Sequence, residues 1–213
     1  MSLAPLLMAD RLQFERDDQH IFEPINFSVD GGDILQIEGP NGAGKTTLMR
    51  LLTTVLQPTS GSILYQGADI RQCRYDYLAN ILYIGHQPGL KMTLTATENL
   101  AWMSPAECSK EDIRVALGEV GLRSYEDVPC YSLSAGQHRR VALARLLVSD
   151  AKIWYLDEPF TAIDKQGVSV LQRLMQDHID GGGSLLLSTH QDLAMDEVRR
   201  YCIKPMNHRG LRS

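Results

Sequence analysis

Short apolar runs separated by polar turns recur along the chain and predict an alternation of buried strands and helices. Residues 34–37, 81–84, 153–156 and 184–189 are largely apolar, and each run is only four to six residues long. Such runs are typical of strands buried on both faces in a parallel sheet. The three glycines at 181–183 predict a turn directly before the last run. The pattern therefore indicates an α/β protein.

Two further stretches, residues 8–37 and 58–70, show strand patterns broken by tight turns. The interruptions fall at the pairs Asp17-Asp18, Gly31-Gly32, Ser60-Gly61 and Gln66-Gly67. Pairs of this composition are typical turn formers. Much of the first third of the chain is therefore expected to consist of short strands.

Beyond residue 88 the pattern becomes helical as far as about residue 150. Residues 95–98 have the sequence of a capping box and predict a helix through Met103. Ser109 and Asp112 predict the start of another helix. The apolar face of this second helix consists of Ile113, Leu117 and Val120. Residues 88–150 are therefore expected to form a helical subdomain inserted between strands.

Residues 39–46 read GPNGAGKT and match the complete phosphate-binding motif GxxxxGK[ST]. The glycines let the backbone turn tightly and direct its N–H groups inward, where they form a nest for phosphates. Lys45 adds a positive charge, and the Thr46 hydroxyl is a candidate Mg²⁺ ligand. A helix expected over residues 46–56 points its positive N-terminal end at the same anion. The residues expected to bind the phosphates are Gly39, Pro40, Asn41, Gly42, Ala43, Gly44, Lys45, Thr46 and Thr47. The alternative is a glycine-rich turn without a ligand, and it is disfavoured because the motif stands between a strand and a helix.

Two consecutive carboxylates follow the apolar run at 153–156. Asp157 is expected at the C-terminal end of a strand, from which it can reach Mg²⁺ directly or through water. Glu158 can polarise a water molecule for attack on the γ-phosphate. A solvated turn is the alternative, and the phosphate-binding motif upstream argues against it.

The segment LSAGQ at residues 133–137 precedes a helical pattern. Ser134 and Gly136 are expected to open that helix, whose N-terminus is a second potential phosphate site. Taken alone, the segment is an ordinary helix cap. The apolar positions of the helix are Val141, Leu143, Ala144, Leu146, Leu147 and Val148.

The order of the motifs along nearly the whole chain resembles that of the nucleotide-binding domain of ABC ATPases. The motifs are, in sequence, GPNGAGKT, Gln87, LSAGQ, IWYLDE, Asp164 and His190. The resemblance implies a P-loop NTPase fold with a RecA-like core, an N-terminal antiparallel β subdomain and an inserted helical signature subdomain. It also implies a single nucleotide-binding domain over residues 1–213 that hydrolyses ATP, with Mg²⁺, to ADP and phosphate.

In that family the phosphate loop of one subunit faces the signature segment of another, with two ATP molecules between them. The chain carries one copy of each motif, so the resemblance implies an ATP-dependent homodimer in which Ser134, Gly136 and Gln137 contact the partner's nucleotide. Gln87 would sense the γ-phosphate or ligate the metal and couple to a membrane permease. His190 would contact the γ-phosphate, and Asp164 would lie at the dimer seam.

One departure from the family pattern concerns the adenine contact. The family usually places an aromatic residue about 29 positions before the loop lysine, and here that position is Arg16. A guanidinium can also stack on a base. Phe14 is close and could take the place of Arg16, and the further alternative is that both belong only to a strand and its turn.

Two longer segments resemble the ATP-binding subunits of the bacterial cytochrome c maturation system. They are QIEGPNGAGKTTLMRLL and YIGHQPGLKMTLTATENL. This similarity implies haem export or haem-chaperone release, with permease subunits of the maturation complex as partners. It also implies a peripheral location on the cytoplasmic face of the bacterial inner membrane. An ABC exporter with another cargo and a soluble ABC ATPase without a transport role are the alternatives.

Composition narrows these possibilities. The formal net charge is −5, and no basic stripe runs through the body of the chain, which argues against nucleic acid as a partner. The four cysteines are scattered, no signal peptide is evident, and no apolar run approaches the roughly 20 residues that span a bilayer. Residues 197–213 are expected to form a basic tail that is solvated or contacts a partner or anionic lipid.

Overall fold

The computed structural model describes residues 4–191, 193 and 195–206, and it contains three β-sheets and six α-helices within these residues. The strands are β1 (Leu7–Gln13), β2 (Glu15–Arg16), β3 (Gln19–His20), β4 (Ile25–Val29), β5 (Ile34–Glu38), β6 (Ser60–Tyr65), β7 (Ala68–Asp69), β8 (Ile81–Ile84), β9 (Ile153–Asp157), β10 (Ser184–Ser188) and β11 (Val198–Cys202). The helices are α1 (Lys45–Leu52), α2 (Arg74–Ala79), α3 (Ala96–Met103), α4 (Lys110–Glu119), α5 (Ala135–Ala144) and α6 (Lys165–Asp180).

The largest sheet has five parallel strands in the order β11-β5-β10-β9-β8. The predicted strands at 34–37, 81–84, 153–156 and 184–189 are confirmed within one residue at their ends. Every residue of β9 and β10 is buried, because helices or the second sheet cover both faces. The predicted α/β fold class is therefore confirmed.

The second sheet is antiparallel and has the strand order β4-β1-β6-β7, while β2 and β3 form a separate hairpin. The turns predicted at Asp17-Asp18, Gly31-Gly32 and Gln66-Gly67 are confirmed. The turn predicted at Ser60-Gly61 is wrong, because both residues lie inside β6. Gly61 has φ +80° beside a register shift in the β1–β6 pairing, and a Cβ there would lie within 2.6 Å of the backbone of Asp10 and Arg11. The glycine therefore marks a bulge in a strand rather than a chain reversal.

Helix α1 is shorter than the predicted span of residues 46–56 and ends at Leu52. The Thr53 hydroxyl donates to the Met49 carbonyl at 2.8 Å and satisfies one of the terminal carbonyls. Thr54 then takes a left-handed conformation with φ +58°, which the helix cannot continue through.

The helical stretch agrees closely with its capping signals. Thr95 caps α3, Ser109 caps α4 and Ser134 caps α5, and each forms a complete capping box with the residue three positions on. The predicted apolar face of α4 is buried. A 3₁₀ turn over Arg145–Leu147 follows α5 and joins it to β9.

Strand β11 contradicts the expectation that residues from 197 onward form a tail. It pairs in parallel with β5, and Arg199 lies within 2.5 Å of the Asp33 carboxylate. Tyr201 packs edge-on against Phe27 with ring centroids 5.6 Å apart. These contacts hold the segment against the core, while the basic residues Arg209 and Arg212 of the predicted tail lie outside the described residues.

Two apolar clusters lie on opposite faces of the parallel sheet. One joins the sheet to α3, α4, α5 and α6, and the other joins it to α1 and the antiparallel sheet. Among the described residues, no helix combines the length and the apolar character needed to cross a membrane.

Candidate nucleotide-binding site

Three strand ends bring the predicted site residues to one edge of the parallel sheet. In the sheet register Ser188 lies opposite both Ile37 and Asp157. The phosphate loop leaves from β5, the two carboxylates from β9, and His190 from β10. The carboxyl edge of a parallel sheet is the usual place for ligands in α/β folds.

The phosphate loop curls tightly before α1, and Gly44 occupies its most constrained position. Gly44 is the N-cap of α1 with φ +100°, and a Cβ there would lie 2.8 Å from Phe22 Cδ1 and 2.9 Å from Ile21 Cγ2. Only glycine fits both this dihedral and this space. The first turn of α1 contains no acidic residue, so its N-terminal end presents uncompensated positive charge.

The Lys45 ammonium lies at the mouth of this loop. Its Nζ donates to the Gly39 carbonyl at 2.8 Å and approaches the Pro40 carbonyl at 3.5 Å. The side chain thus folds back over the loop, within reach of any anion bound there.

A cleft of about 370 Å³ opens beside the loop. Its lining consists of Arg16, Ile21, Pro40, Asn41, Gly42, Gly44, Lys45, Thr46, Thr47, Asp157 and Glu158. Seven of the nine predicted phosphate residues, all except Gly39 and Ala43, therefore face the same space as both carboxylates. Of the two candidates for the base contact, only Arg16 lines the cleft, while Phe14 packs against the core below the antiparallel sheet.

Asp157 is buried, with 2% of its surface exposed. Its Oδ1 accepts a hydrogen bond of 2.5 Å from the Ser188 hydroxyl. Its Oδ2 is buried without a hydrogen-bond partner. A buried carboxylate oxygen without a partner is costly unless a ligand satisfies it.

This free oxygen is consistent with Mg²⁺. Among the described residues no group of three or more His, Cys, Asp or Glu side chains could form a complete metal cage. Mg²⁺ in nucleotide sites is usually bound by one or two protein oxygens together with phosphates and water. Asp157 and the exposed Thr46 hydroxyl on the same cleft fit that mode of binding.

Glu158 occupies an unusual backbone position with φ +48°. Its N–H donates to the Ser188 carbonyl at 2.9 Å, and its side chain is half-buried. Its Oε1 lies 3.6 Å from Nε2 of His190, whose side chain is exposed. The carboxylate therefore faces both the nucleotide cleft and His190.

A second cleft of about 220 Å³ adjoins the first through Lys45, which lines both. The residues that line it are Gln36, Glu38, Gly39, Lys45, Thr189, His190 and Gln191. His190 thus lies on the side of Lys45 that faces this smaller cleft. A ligand in the larger cleft would reach it across Lys45 or Glu158.

The signature segment lies apart from these clefts. Neither the 370 Å³ cleft nor the smaller cleft beside it is lined by Ser134, Gly136 or Gln137. The Ser134 hydroxyl accepts from the Gln137 N–H at 3.2 Å, and a Cβ on Gly136 would lie 3.2 Å from the Ala162 carbonyl. Gln87 is exposed beyond the end of β8 and also lines neither cleft.

Asp164 links the signature helix to α6. It caps α6 by accepting from the Gly167 N–H at 2.9 Å, and its other carboxylate oxygen pairs with Arg140 at 2.7 Å. The hydrogen bond from Gly167 and the nearby Arg140 keep the pKa of Asp164 below its usual value.

Sequence reasoning missed three residues at this edge of the sheet. Ser188 could have been noticed as a polar residue ending an apolar strand. Ile21 joins the cleft through the β2–β3 hairpin, and Arg139 donates four hydrogen bonds to backbone carbonyls of other segments. No local pattern in the sequence indicates either contact.

Comparisons with known proteins agree with this geometry. The family model described as ABC transporter matches residues 22–161. The cytochrome c biogenesis ATP-binding export protein CcmA of Hahella chejuensis is 51% identical over 199 residues, which cover 92% of this chain and 94% of that protein. A solved ATP-binding subunit of an ABC transporter is 25% identical and superposes with a TM-score of 0.83, over 93% of this chain and 86% of that one. A dimeric ATP-binding cassette in a post-hydrolysis state with ADP and Pi has a TM-score of 0.81 at 22% identity, over 93% of this chain and 94% of that one.

Proposed function

This chain belongs to the ABC transporter family, and we propose that it is the ATP-hydrolysing subunit of a membrane complex that serves cytochrome c biogenesis by exporting haem or releasing a haem chaperone. One observation carries the proposal: most of the phosphate loop, including Lys45 and Thr46, lines a single cleft together with the Asp157-Glu158 pair. The identity of 51% to a cytochrome c biogenesis ATP-binding export protein supplies the biological context. The whole of residues 1–213 is taken as one nucleotide-binding domain.

The chain binds ATP, and the phosphate loop is proposed to hold its phosphates. Backbone N–H groups between Asn41 and Thr47 and the N-terminal end of α1 supply donors and positive charge. Lys45 already reaches over the loop and would exchange its bond with the Gly39 carbonyl for one with a phosphate.

Asp157, Thr46 and Gln87 are the proposed ligands on the protein side for Mg²⁺. The free Oδ2 of Asp157 supports the first assignment and the position of Thr46 on the cleft supports the second. Gln87 would have to move into the cleft, because it is exposed beyond β8. When bound, Mg²⁺ neutralises charge on the phosphates.

Glu158 is proposed to orient and deprotonate the attacking water, and His190 to stabilise the γ-phosphate region. The half-buried carboxylate of Glu158 faces the cleft, and His190 is 3.6 Å from it. A carboxylate in such a position can act as a general base. The proton taken from water would reside on the Glu158 carboxylate before it is released to solvent.

Arg16 is proposed to stack on adenine, with Ile21 as its apolar neighbour. Both line the cleft, whereas Phe14 does not. The guanidinium plane and the aliphatic side chain together suit the face of a base.

The catalytic unit is proposed to be an ATP-dependent homodimer. Ser134, Gly136 and Gln137 lie outside both clefts of their own chain, so a second copy is needed to bring them to the nucleotide. The ATP-binding cassette of similar fold is itself a dimer with ADP and Pi bound.

Integral membrane permease subunits are the proposed partners. Exposed apolar side chains follow Gln87 at Met92 and Trp102, and a third, Tyr131, comes later in the sequence. The Tyr131 N–H donates to the Met92 carbonyl, and the Lys91 ammonium lies 3.5 Å from the Trp102 ring centroid, so these residues form one surface. Exposed apolar surface of this kind indicates a protein contact. A peripheral location at the cytoplasmic face of the bacterial inner membrane follows from this proposal.

The test is purification of the tagged chain from its native membranes in mild detergent with Mg-ATP, followed by an ATPase assay. We expect permease subunits of a cytochrome c maturation complex to accompany the chain. Glu158→Gln should lower turnover by about 10²–10⁴-fold with ATP affinity retained, and Lys45→Ala should abolish ATP binding. Recovery of a permease unrelated to cytochrome c would refute the biological role, whereas turnover in Glu158→Gln above about a tenth of the parent value would refute the role of Glu158.

A further inference from the structure

Arg139 in the signature helix α5 is a buried cation whose hydrogen bonds to described residues all go to backbone carbonyls. Only 2% of its surface is exposed. Its guanidinium donates to the carbonyl of Gly85 at 2.6 Å and to that of Glu158 at 2.8 Å. Longer bonds of 3.3 and 3.4 Å reach the carbonyls of Pro159 and Asp157. One side chain of α5 therefore touches three consecutive residues at the end of β9 and the start of the Gln87 segment.

These carbonyls lie where the sheet ends. The β8–β9 pairing stops at Ile84 and Leu156, so beyond these residues the two strands no longer satisfy each other's carbonyls. Buried carbonyls need a donor from elsewhere. Arg139 supplies it, with the planar five-donor fork that only arginine has.

The turn that Arg139 holds is a strained one. Glu158 has φ +48°, a conformation that few residues other than glycine adopt. Such a conformation persists only when its surroundings determine it. The Ser188 carbonyl accepts from the Glu158 N–H, and Arg139 donates to the Glu158 carbonyl, so both backbone groups of this residue are restrained.

Arg139 is not explained by ordinary ion pairing. Burial is the main cause that lowers its pKa, and the charges of Asp157 and Glu158 only partly oppose that effect. Its hydrogen bonds go to carbonyls rather than carboxylates. Burying a cation costs free energy of desolvation, and here only hydrogen bonds to neutral carbonyls offset that cost. A role for the side chain in fixing this turn would explain why a cation is found there.

We propose that Arg139 is a positioning residue that fixes the Glu158 turn for water activation and ties it to the segment that carries Gln87. Ser134 opens the same helix. The Arg139 guanidinium therefore joins the signature segment to Gly85, two residues before Gln87, and to the turn that carries the Glu158 carboxylate. This inference rests on the proposed role of Glu158. A shift of the carboxylate by about 1 Å can cost on the order of 100-fold in rate, so the chemical step is where the loss should appear.

The experiment compares Arg139→Met with Arg145→Met in the full chain purified with its membrane partners. Arg145 is a suitable control because it is also largely desolvated, and its one hydrogen bond among the described residues goes to the Tyr83 carbonyl inside β8 rather than to the Glu158 turn. We expect Arg139→Met to lower kcat by about 10–100-fold while the Kd for ATP changes less than about threefold. Arg145→Met should leave kcat within about threefold of the parent. Arg139→Lys should recover part of kcat, because an ammonium can serve one or two of the four carbonyls.

A double-mutant cycle with Glu158→Gln separates positioning from general damage. If Arg139 acts through Glu158, the double variant should turn over ATP at the rate of Glu158→Gln alone, within about twofold. A further loss of tenfold or more in the double variant, or unchanged kcat in Arg139→Met, would overturn the inference. If Glu158→Gln itself retained full turnover, the proposed function of Glu158 would fail instead. If Arg139→Met does not fold, Arg139→Lys takes its place, provided that its melting temperature equals that of the parent. A kcat of Arg139→Lys at least fivefold below the parent value would support the inference, and a kcat equal to the parent value would refute it.

Discussion

Gly44→Ala is the substitution whose effect can be worked out most directly from the structure. Alanine at φ +100° costs about 1–2 kcal/mol because a side chain disfavours left-handed backbone. The new Cβ would also lie 2.8 Å from Phe22 Cδ1 and 2.9 Å from Ile21 Cγ2. Phe22 is fully buried and cannot move away freely, so overpacking adds about 1–3 kcal/mol. The two contributions together predict a loss of about 2–5 kcal/mol in the free energy of unfolding.

The matched control is Gly182→Ala. Gly182 has φ +84° in the turn before β10, and a Cβ there would meet no atom within 4 Å. Only the backbone contribution of about 1–2 kcal/mol applies to it. Urea denaturation of the full chain without nucleotide measures both variants. Equal losses would show that the predicted contact with Ile21 and Phe22 does not exist, and the reasoning about this loop would be wrong.

Gly44→Ala also has a functional consequence, because Ile21 lines the nucleotide cleft. Any shift of Ile21 that relieves the contact changes the proposed base site. We therefore expect weaker ATP binding in Gly44→Ala and unchanged binding in Gly182→Ala, measured by calorimetry under conditions where both variants are folded.

Three further predictions concern other parts of the sheet edge and its surroundings. Ser188→Ala removes the hydroxyl that donates to the Asp157 carboxylate and should lower the free energy of unfolding by about 1.5–3 kcal/mol. Ser184→Ala is the control, and it should cost only about 0.5–1.5 kcal/mol because the Ser184 hydroxyl donates to a neutral carbonyl. Similar urea midpoints for the two variants would contradict this prediction. Burial lowers the pKa of His178 below 6.5, so the unfolded chain binds a proton more readily than the folded chain. The free energy of unfolding should therefore fall as the pH drops from about 7.5 to about 5.5. In His178→Gln the free energy of unfolding should depend less steeply on pH. Arg16→Ala should weaken ATP binding while Phe14→Ala leaves it unchanged, and the reverse order by calorimetry would reassign the base contact to Phe14.

Local signals predicted the elements of this fold well. The capping boxes at Thr95 and Ser109 mark the helix starts correctly, because the side chain and the N–H groups it satisfies are three residues apart. The apolar runs predict four of the five strands of the parallel sheet, because burial favours apolar residues at most of their positions. The phosphate loop is likewise a local motif, so its place between β5 and α1 follows from the sequence.

Features that depend on distant partners were not predictable in this way. The basic composition of residues 197–213 suggests a solvated tail, but Arg199 meets Asp33 across the sheet and stabilises β11. Arg139 looks like an ordinary helical arginine until α5 is placed against the ends of β8 and β9. Ile21 becomes part of the cleft only when the β2–β3 hairpin folds beside the phosphate loop.

The position of β11 has a consequence for how the chain is made. Strand β5, which carries the phosphate loop, is synthesised early, but one of its two neighbours is β11, encoded 164 residues later (198 − 34). Its other neighbour, β10, also comes late. An emerging chain therefore presents β5 with open edges, and open strand edges readily pair with other chains. A growing chain of this kind should need a chaperone or the ribosome surface to shield β5 until synthesis passes residue 202.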